Sequence, residues 1–250
     1  MQMEKPRALL EFRYYKEAQD YLRKLPLEHF MEATPQATQR EITLESLALL
    51  RARRPEVQVF NELLVQYPLP RRRRPGQVVP DNMVVIHDKP IKADGSYDVP
   101  LQPVAPFWML EYVSKSNSRK DYDDNMRKYE HELKVPYYLL FMPSEQELTL
   151  YRHTGERYVS VAPDQDGRHA IPELDLAVGL LDGWVRYWYQ GELLPLPADL
   201  LHALEDTQRQ LVVMTRRAEA QEQRAEAEKE TRLALERELA QLRTQLKSKE

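Results

Sequence analysis

The chain has 250 residues, 42% of them hydrophobic and 30% charged, which is enough to bury the core of one domain with extensions. Its formal net charge of -4 excludes a surface that is basic throughout, although local basic patches can still bind nucleic acid. The absence of cysteine excludes disulfides, thiolate catalysis and cysteine-based zinc sites. No apolar run is long enough to cross a membrane, so we expect a cytoplasmic protein without membrane contact.

Two helical segments are predicted before the first strand. Residues 1–34 carry an amphipathic pattern that is typical of an N-terminal helical extension packed on the core. The segment Thr38-Gln39-Arg40-Glu41 has the form of a capping box, and an apolar face continues to Leu50. This pattern predicts a helix from Thr38 to about Arg54, because Pro55 then stops it.

Short strands and loops follow. Residues 57–60 and 63–67 predict one bent strand or two short ones. The run of four arginines at 71–74, followed by Pro-Gly, predicts an exposed loop. Residues 78–86 predict one strand, and the Pro-, Asp- and Gly-containing segment 89–106 predicts a loop.

The middle of the chain alternates between strand and helix patterns. Residues 107–113 are apolar nearly throughout, as in a strand that is covered on both faces. Residues 118–133 place apolar side chains at helical spacing, and residues 135–142 predict another buried strand. This order implies a parallel crossover and therefore a mixed α/β sheet. Residues 148–151 and 158–161 predict a hairpin at its edge.

The composition changes near residue 199, where Ala, Glu, Gln, Arg and Leu begin to dominate. Leucines at 235, 239, 242 and 246 keep the alternating spacing of a coiled-coil seam. We predict a coiled-coil helix of about 45 residues over 199–250 that joins copies of the chain into a homo-oligomer. Gln221, Glu228 and Arg232 interrupt the seam, so a solitary charged helix is the alternative.

Two acidic residues in apolar runs are the candidates for chemistry, Asp81 within 78–86 and Glu111 within 107–113. Desolvating two carboxylates costs several kcal/mol unless a divalent cation or another group compensates. Mg²⁺ or Mn²⁺ prefers oxygen ligands and can activate a water for phosphodiester hydrolysis. The alternative places Asp81 in a turn and Glu111 in a salt bridge at a strand end.

An ordered series of motifs around these acids resembles the Uma2 (DUF820) family of endonucleases over roughly residues 35–190. The motifs are Pro80-Asp81, Val84-Val85-Ile86, Leu110-Glu111-Tyr112-Val113-Ser114, Asp121 with Tyr129, and Val135-Pro136-Tyr137-Tyr138. The resemblance implies a domain at 35–198 with the restriction-endonuclease-like, PD-(D/E)XK fold, a mixed β-sheet core flanked by helices. It also implies that Asp81 and Glu111 bind the catalytic Mg²⁺ or Mn²⁺.

The third element of the nuclease pattern is a lysine, and here the sequence departs from the pattern. Val113 stands two residues after Glu111, and the place where the family carries a lysine on the following helix holds Asn125. Lys128 is the first substitute, because helical spacing puts it on the flank of Asp121. Lys115 is the second, whereas Lys120 points away from that flank. For each lysine, the alternative is a solvated surface charge.

Further candidates surround this pair of acids. Glu41 and Glu62 are weaker acidic candidates, with a helix-start charge and an exposed strand position as their alternatives. The basic groups at 71–74 and 119–120 can contact phosphates, or form only solvated surfaces. The histidines show no metal-ligand spacing, and the tryptophans fit a core better than a base-stacking surface.

We therefore expect a metal-dependent endonuclease that hydrolyses DNA with a metal-activated water. The alternative is a catalytically weakened scaffold of the same fold that acts through its C-terminal coiled coil. Asn125 and the long charged tail motivate that alternative.

Overall fold

The structure is a computed structural model that describes residues 7–25, 34–70, 72–113 and 119–247, with the side chains of 119–122, 238, 240 and 241–247 left out of the description. The helices of this part are α1 (Arg7–Leu22), α2 (Thr34–Arg53), α3 (Arg119–Arg127) and α4 (Pro197–Lys247). A π-helical turn, Lys128–Leu133, continues α3, and 3₁₀ turns occur at Val99–Leu101 and Pro172–Leu174. The strands are β1 (Val57–Asn61), β2 (Leu64–Tyr67), β3 (Gly76–Val78), β4 (Asn82–Ile86), β5 (Ser96–Asp98), β6 (Trp108–Tyr112), β7 (Tyr137–Met142), β8 (Glu147–His153), β9 (Tyr158–Ser160), β10 (His169–Ile171), β11 (Leu176–Leu181), β12 (Trp184–Tyr189) and β13 (Glu192–Leu193).

A six-stranded mixed sheet forms the centre, with the strand order β1-β4-β6-β7-β8-β9. The pair β6 and β7 is parallel, and α3 lies between them in the chain, so the predicted crossover is confirmed. The other neighbours in this sheet are antiparallel, including the predicted hairpin of β8 and β9. The mixed α/β fold class is therefore confirmed.

Both faces of this sheet are covered, which explains why its central strands are apolar throughout. Trp108 and Leu110 lie in one core cluster, together with residues of α2 and β10–β12. Met109 lies in a second cluster, with Tyr129 of the π-helical turn. Successive residues of a strand point to opposite faces, so Glu111 shares the face of Met109. This alternation places Glu111 on the side where α3 and its π-helical turn lie.

Two smaller sheets complete the first part of the chain. One has the order β3-β2-β5 and holds α1 through two glutamines, since Gln66 Nε2 donates to the Tyr14 carbonyl at 2.9 Å and Gln77 Nε2 donates to the Glu17 carbonyl at 3.1 Å. The other is the antiparallel sheet β10-β11-β12-β13, which the sequence analysis did not predict. Its strands are short and joined by tight turns, so each carries little periodic signal.

The structure corrects three predicted elements. The strand predicted at 78–86 is interrupted between β3 and β4, because Pro80 has no backbone N–H to donate to a sheet. The loop predicted at 89–106 contains β5 and a 3₁₀ turn. Helix α2 begins at Thr34 rather than Thr38, and the next residue, Pro35, suits a first helical turn because its φ is already helical.

The chain divides into two compact units, Met1–Leu196 and Pro197–Glu250. The second consists of α4, 51 residues long to Lys247, whose described side chains are exposed along its length. Apolar residues of the predicted seam are among them, with Leu211 64% and Met214 67% exposed. Within the described ranges, no helix has the length and apolar character that a membrane span requires.

Candidate metal centre

Strand register brings three acids into one row at the end of the central sheet. Asn82 of β4 pairs with Leu110 of β6, so the antiparallel register continued by one residue sets Asp81 opposite Glu111. On the other side of β4, Asn61 pairs with Asn82, and the same step sets Glu62 opposite Asp81. The Glu62 backbone N–H donates to the Asp81 carbonyl at 3.2 Å, which keeps these two chains together beyond the ladder.

Both carboxylate oxygens of Asp81 accept hydrogen bonds. Arg40 Nη2 donates to Asp81 Oδ1 at 2.9 Å, and the Tyr112 backbone N–H donates to Asp81 Oδ2 at 2.7 Å. The first contact is also an ion pair, with 14% of the Arg40 side chain and 21% of the Asp81 side chain exposed. Asp81 is therefore fixed to α2 on one side and to the end of β6 on the other.

Glu111 is buried, with 9% exposure, and is held by the helical segment that follows β6. The Tyr129 hydroxyl donates to Glu111 Oε1 at 2.6 Å, and Asn125 Nδ2 donates to the same oxygen at 3.2 Å. Asn125 lies in α3 and Tyr129 lies in the π-helical turn that continues it. This segment covers the face of the sheet on which Glu111 lies. Asn125, which stands at the place of the family's lysine, thus contacts the acid of β6.

The electrostatics of the two acids are coupled. Burial raises the pKa of Glu111 well above its ordinary range, and the negative charge of Asp81 raises it further, while the Tyr129 hydroxyl acts in the opposite direction. Burial also raises the pKa of Asp81, against the opposing effects of the Tyr112 N–H and the Arg40 guanidinium. Two neighbouring carboxyls whose pKa values are both raised are unfavourable as a doubly charged pair.

Arg40 is the functional residue that the sequence analysis missed. Its Nη1 reaches Glu62 Oε1 at 3.0 Å, while its Nη2 holds Asp81, so one guanidinium joins two of the three acids in the row. The sequence pattern indicated only that Arg40 lies within a capping box. Arg40 shares a helical face with Thr43 and Leu47, three and seven residues on, and both are fully buried. That spacing was the available sign that Arg40 faces the core.

Lys128 pairs with an acid of its own helical segment. Lys128 Nζ lies 2.7 Å from Asp124 Oδ2, one turn away on the same helical segment. This hydrogen bond is the main cause that lowers the pKa of Asp124. Lys115 lies outside the described residues, as does the side chain of Lys120. A catalytic role for Lys128 or Lys115 stays a prediction.

The other candidates divide between the site and the surface. Glu62 belongs to the row of acids through Arg40, although its side chain is 56% exposed. Glu41 is exposed on α2. Of the basic run, Arg72, Arg73 and Arg74 are exposed, as predicted for a loop, whereas Arg71 and the side chains of 119–120 lie outside the description.

The carboxylates of Asp81 and Glu111 are two oxygen ligands of the kind that a hard divalent cation prefers. Asp81, just before β4, lies opposite Glu111 of the neighbouring strand, and burial is the main cause that raises the pKa of each, so a bound cation would compensate for their desolvation. Among the described residues, no group of three or more acidic or histidine side chains is arranged to hold a metal ion. A cation held by Asp81 and Glu111 alone would need water or substrate oxygens to complete its coordination.

The fold defines a class, that of mixed α/β proteins with a six-stranded central sheet. The family model of Uma2, described as "putative restriction endonuclease", matches residues 28–182. The chain belongs to the Uma2 family. A solved structure described as a putative nuclease of DUF820, from Anabaena variabilis ATCC 29413, is similar at 18% identity, with 58% of this chain and 75% of that chain covered and a TM-score of 0.43. Among curated proteins there is no match.

Proposed function

We propose that this protein is a metal-dependent DNA endonuclease that acts at the pair Asp81 and Glu111. The convergence of these two acids, 30 residues apart in sequence (111 - 81), at one strand end carries the proposal. Membership in a family described by nuclease activity supports the same reaction class. DNA as substrate and Mg²⁺ or Mn²⁺ as cofactor are part of this proposal.

In the proposed reaction, a bound Mg²⁺ or Mn²⁺ supplies Lewis acidity and lowers the pKa of an attacking water. Asp81 and Glu111 would hold the cation, and their own hydrogen bonds orient the two carboxylates. The Tyr129 hydroxyl fixes the orientation of Glu111, while the Tyr112 N–H fixes that of Asp81. The proposed reaction also needs a positive charge near the phosphate, for which Arg40, Lys128 and Lys115 are the candidates.

Nucleic-acid binding is supported by a basic pocket next to the loop after β2. The pocket has a volume of 180 Å³, and Arg13, Arg72 and Arg74 line it beside the apolar residues Leu69 and Pro75. Arginine is well suited to phosphate oxygens, because its guanidinium can donate two parallel hydrogen bonds. A local basic surface of this kind can bind a phosphate backbone although the whole chain is acidic.

The second candidate function is a scaffold of the same fold that has lost catalysis and acts through α4. Asn125 at the lysine place and the ion pair of Arg40 with Asp81 favour it. So does the row of exposed apolar residues on α4, namely Leu204, Leu211, Met214, Leu235 and Leu239, which repeats at coiled-coil spacing. Such a row is buried when two copies of the helix associate, so we include a homo-oligomer in the proposal.

The test is nicking of supercoiled plasmid DNA by the full chain in the presence of Mg²⁺ or Mn²⁺. Nicking should require the metal, and both Asp81→Ala and Glu111→Ala should abolish it. The matched control is Asp124→Ala, which removes an acid of the neighbouring helix that pairs with Lys128. Equal nicking by all three variants contradicts the assignment of Asp81 and Glu111 to the active site. A native chain that does not nick DNA even with Mg²⁺ or Mn²⁺ favours the scaffold.

A further inference from the structure

Arg40 holds an Asp81 oxygen that is also a proposed metal ligand. It donates to Asp81 Oδ1 at 2.9 Å, and with 14% of its side chain exposed it is largely removed from water. A guanidinium at this distance from a partly buried carboxylate neutralises its charge directly. A divalent cation that binds Asp81 Oδ1 competes with Arg40 for that oxygen.

The structure also provides a second partner for the displaced guanidinium. Arg40 already contacts Glu62 through its other terminal nitrogen, at 3.0 Å. Glu62 is 56% exposed and lies just after β1, with a left-handed backbone φ of 48° that ends the strand. Arg40 can thus release Asp81 without becoming an unpaired, desolvated charge, which is the usual cost of breaking a buried ion pair.

We propose that Arg40 is an exchangeable counter-ion of the metal site, which occupies Asp81 in the metal-free protein and moves onto Glu62 when a divalent cation binds. This inference rests on the proposed metal site. Arg40 is then a positioning residue that sets metal affinity, and Glu62 is the residue that holds Arg40 while the metal is bound. The two roles depend on each other, since Glu62 acts on the metal only through Arg40.

The test is a double-mutant cycle in the full chain, with Mn²⁺ affinity measured by isothermal titration calorimetry after treatment with EDTA. Arg40→Gln should bind Mn²⁺ at least about fivefold more tightly, because the competing charge is gone. Glu62→Gln should bind it more weakly by about the same factor, because Arg40 then loses its second carboxylate partner. In the double variant, the effect of Glu62→Gln should disappear.

The result for the double variant distinguishes exchange of Arg40 from the electrostatic effect of two fixed charges. If Arg40 and Glu62 act only as fixed charges, the Glu62→Gln effect persists unchanged in the Arg40→Gln background. Arg40→Lys gives a second distinction, since it retains the charge but cannot hold two carboxylates with one planar fork. Exchange predicts tighter Mn²⁺ binding for Arg40→Lys as well, whereas fixed charge predicts no change.

Arg54→Gln is the matched control, because Arg54 is an arginine of similar burial that pairs with Glu56 at 2.8 Å. It should leave Mn²⁺ affinity unchanged. Glu62→Gln, an exposed substitution, keeps the test available even if Arg40→Gln unfolds the protein. Additive effects in the cycle overturn the exchange alone and leave the endonuclease proposal standing. Absence of Mn²⁺ binding in every variant overturns the metal site and the exchange together.

Discussion

The Tyr129 hydroxyl donates a 2.6 Å hydrogen bond to Glu111 at a point where both side chains are buried. This bond joins the π-helical turn after α3 to the end of β6, and it gives one of the two acids a fixed orientation. It only partly offsets the effect of burial and of Asp81 on the pKa of Glu111. The consequence is a measurable dependence of stability on pH.

Glu111→Gln should stabilise the metal-free protein at neutral pH. The pKa of Glu111 is raised in the folded state, so the folded protein binds this proton more tightly than the unfolded chain. Its contribution to stability is therefore largest at low pH and is lost as the pH rises from the ordinary value of 4.5 through the raised one. The variant lacks this loss, and we expect it to be more stable by about 1–3 kcal/mol at pH 7.

Urea unfolding of both proteins in EDTA, from pH 4.5 to pH 8.5, measures this difference. The gap between variant and native chain should widen as the pH rises. Glu41→Gln is the control, because Glu41 is an exposed glutamate on α2 whose removal should leave the pH profile unchanged. A variant that is less stable than the native chain at every pH contradicts the raised pKa of Glu111.

Asn125→Lys should raise nicking activity. Asn125 Nδ2 lies 3.2 Å from Glu111 Oε1, so a lysine at this position brings a cation to the acid pair. A single well-placed charged donor is commonly worth about 100-fold in rate, and we expect at least about tenfold here. Initial nicking rates on supercoiled plasmid measure the gain, with Asn125→Gln as the neutral control. If both variants nick DNA at the native rate, Arg40 or another cation already supplies the charge.

The basic pocket should contribute to DNA binding in a salt-dependent manner. Replacing Arg72 and Arg74 with glutamine removes two exposed positive charges from the pocket lining. Each lost phosphate contact should reduce the slope of log K against log salt by about 0.9, hence by about 1.8 for the pair. Fluorescence anisotropy with a labelled duplex at several salt concentrations measures the slope.

The control for this pair is Arg152→Gln with Arg157→Gln, two exposed arginines of the β8–β9 hairpin region. An unchanged slope in the Arg72 and Arg74 variant removes the pocket from the DNA-binding surface. An equal reduction in both double variants points to a diffuse charge effect instead.

Helix α4 should associate with a second copy through its seam. Leu211→Glu places a charge at a seam position that is 64% exposed in the single chain, and it should convert an oligomer into a monomer. Val212→Glu, at a neighbouring residue that is 51% exposed and lies off the seam, should leave the mass unchanged. Sedimentation equilibrium of the full chain measures the mass, and a native chain that is already monomeric contradicts the coiled coil.

The sequence by itself was sufficient to predict the apolar strands and the crossover, and to mark Asp81 and Glu111 as candidate site residues. Strand β6 is apolar because it is buried on both faces. After residue 118 the apolar residues of the sequence change to helical spacing, which marks the crossover to β7. Local patterns were sufficient for both features. Asp81 and Glu111 are conspicuous because carboxylates are rare among Val, Leu and Trp. The order of motifs around them also indicated the family that the comparison shows.

Only the tertiary structure decided how those acids are compensated. The register of β1, β4 and β6 sets Glu62, Asp81 and Glu111 in one row, and register depends on pairing between distant segments. Arg40 reaches that row from α2, 41 residues before Asp81 in sequence, through a helix whose start the local pattern misplaced. A sequence pattern records which side chains are buried, but the partner of a buried charge is set by packing between elements.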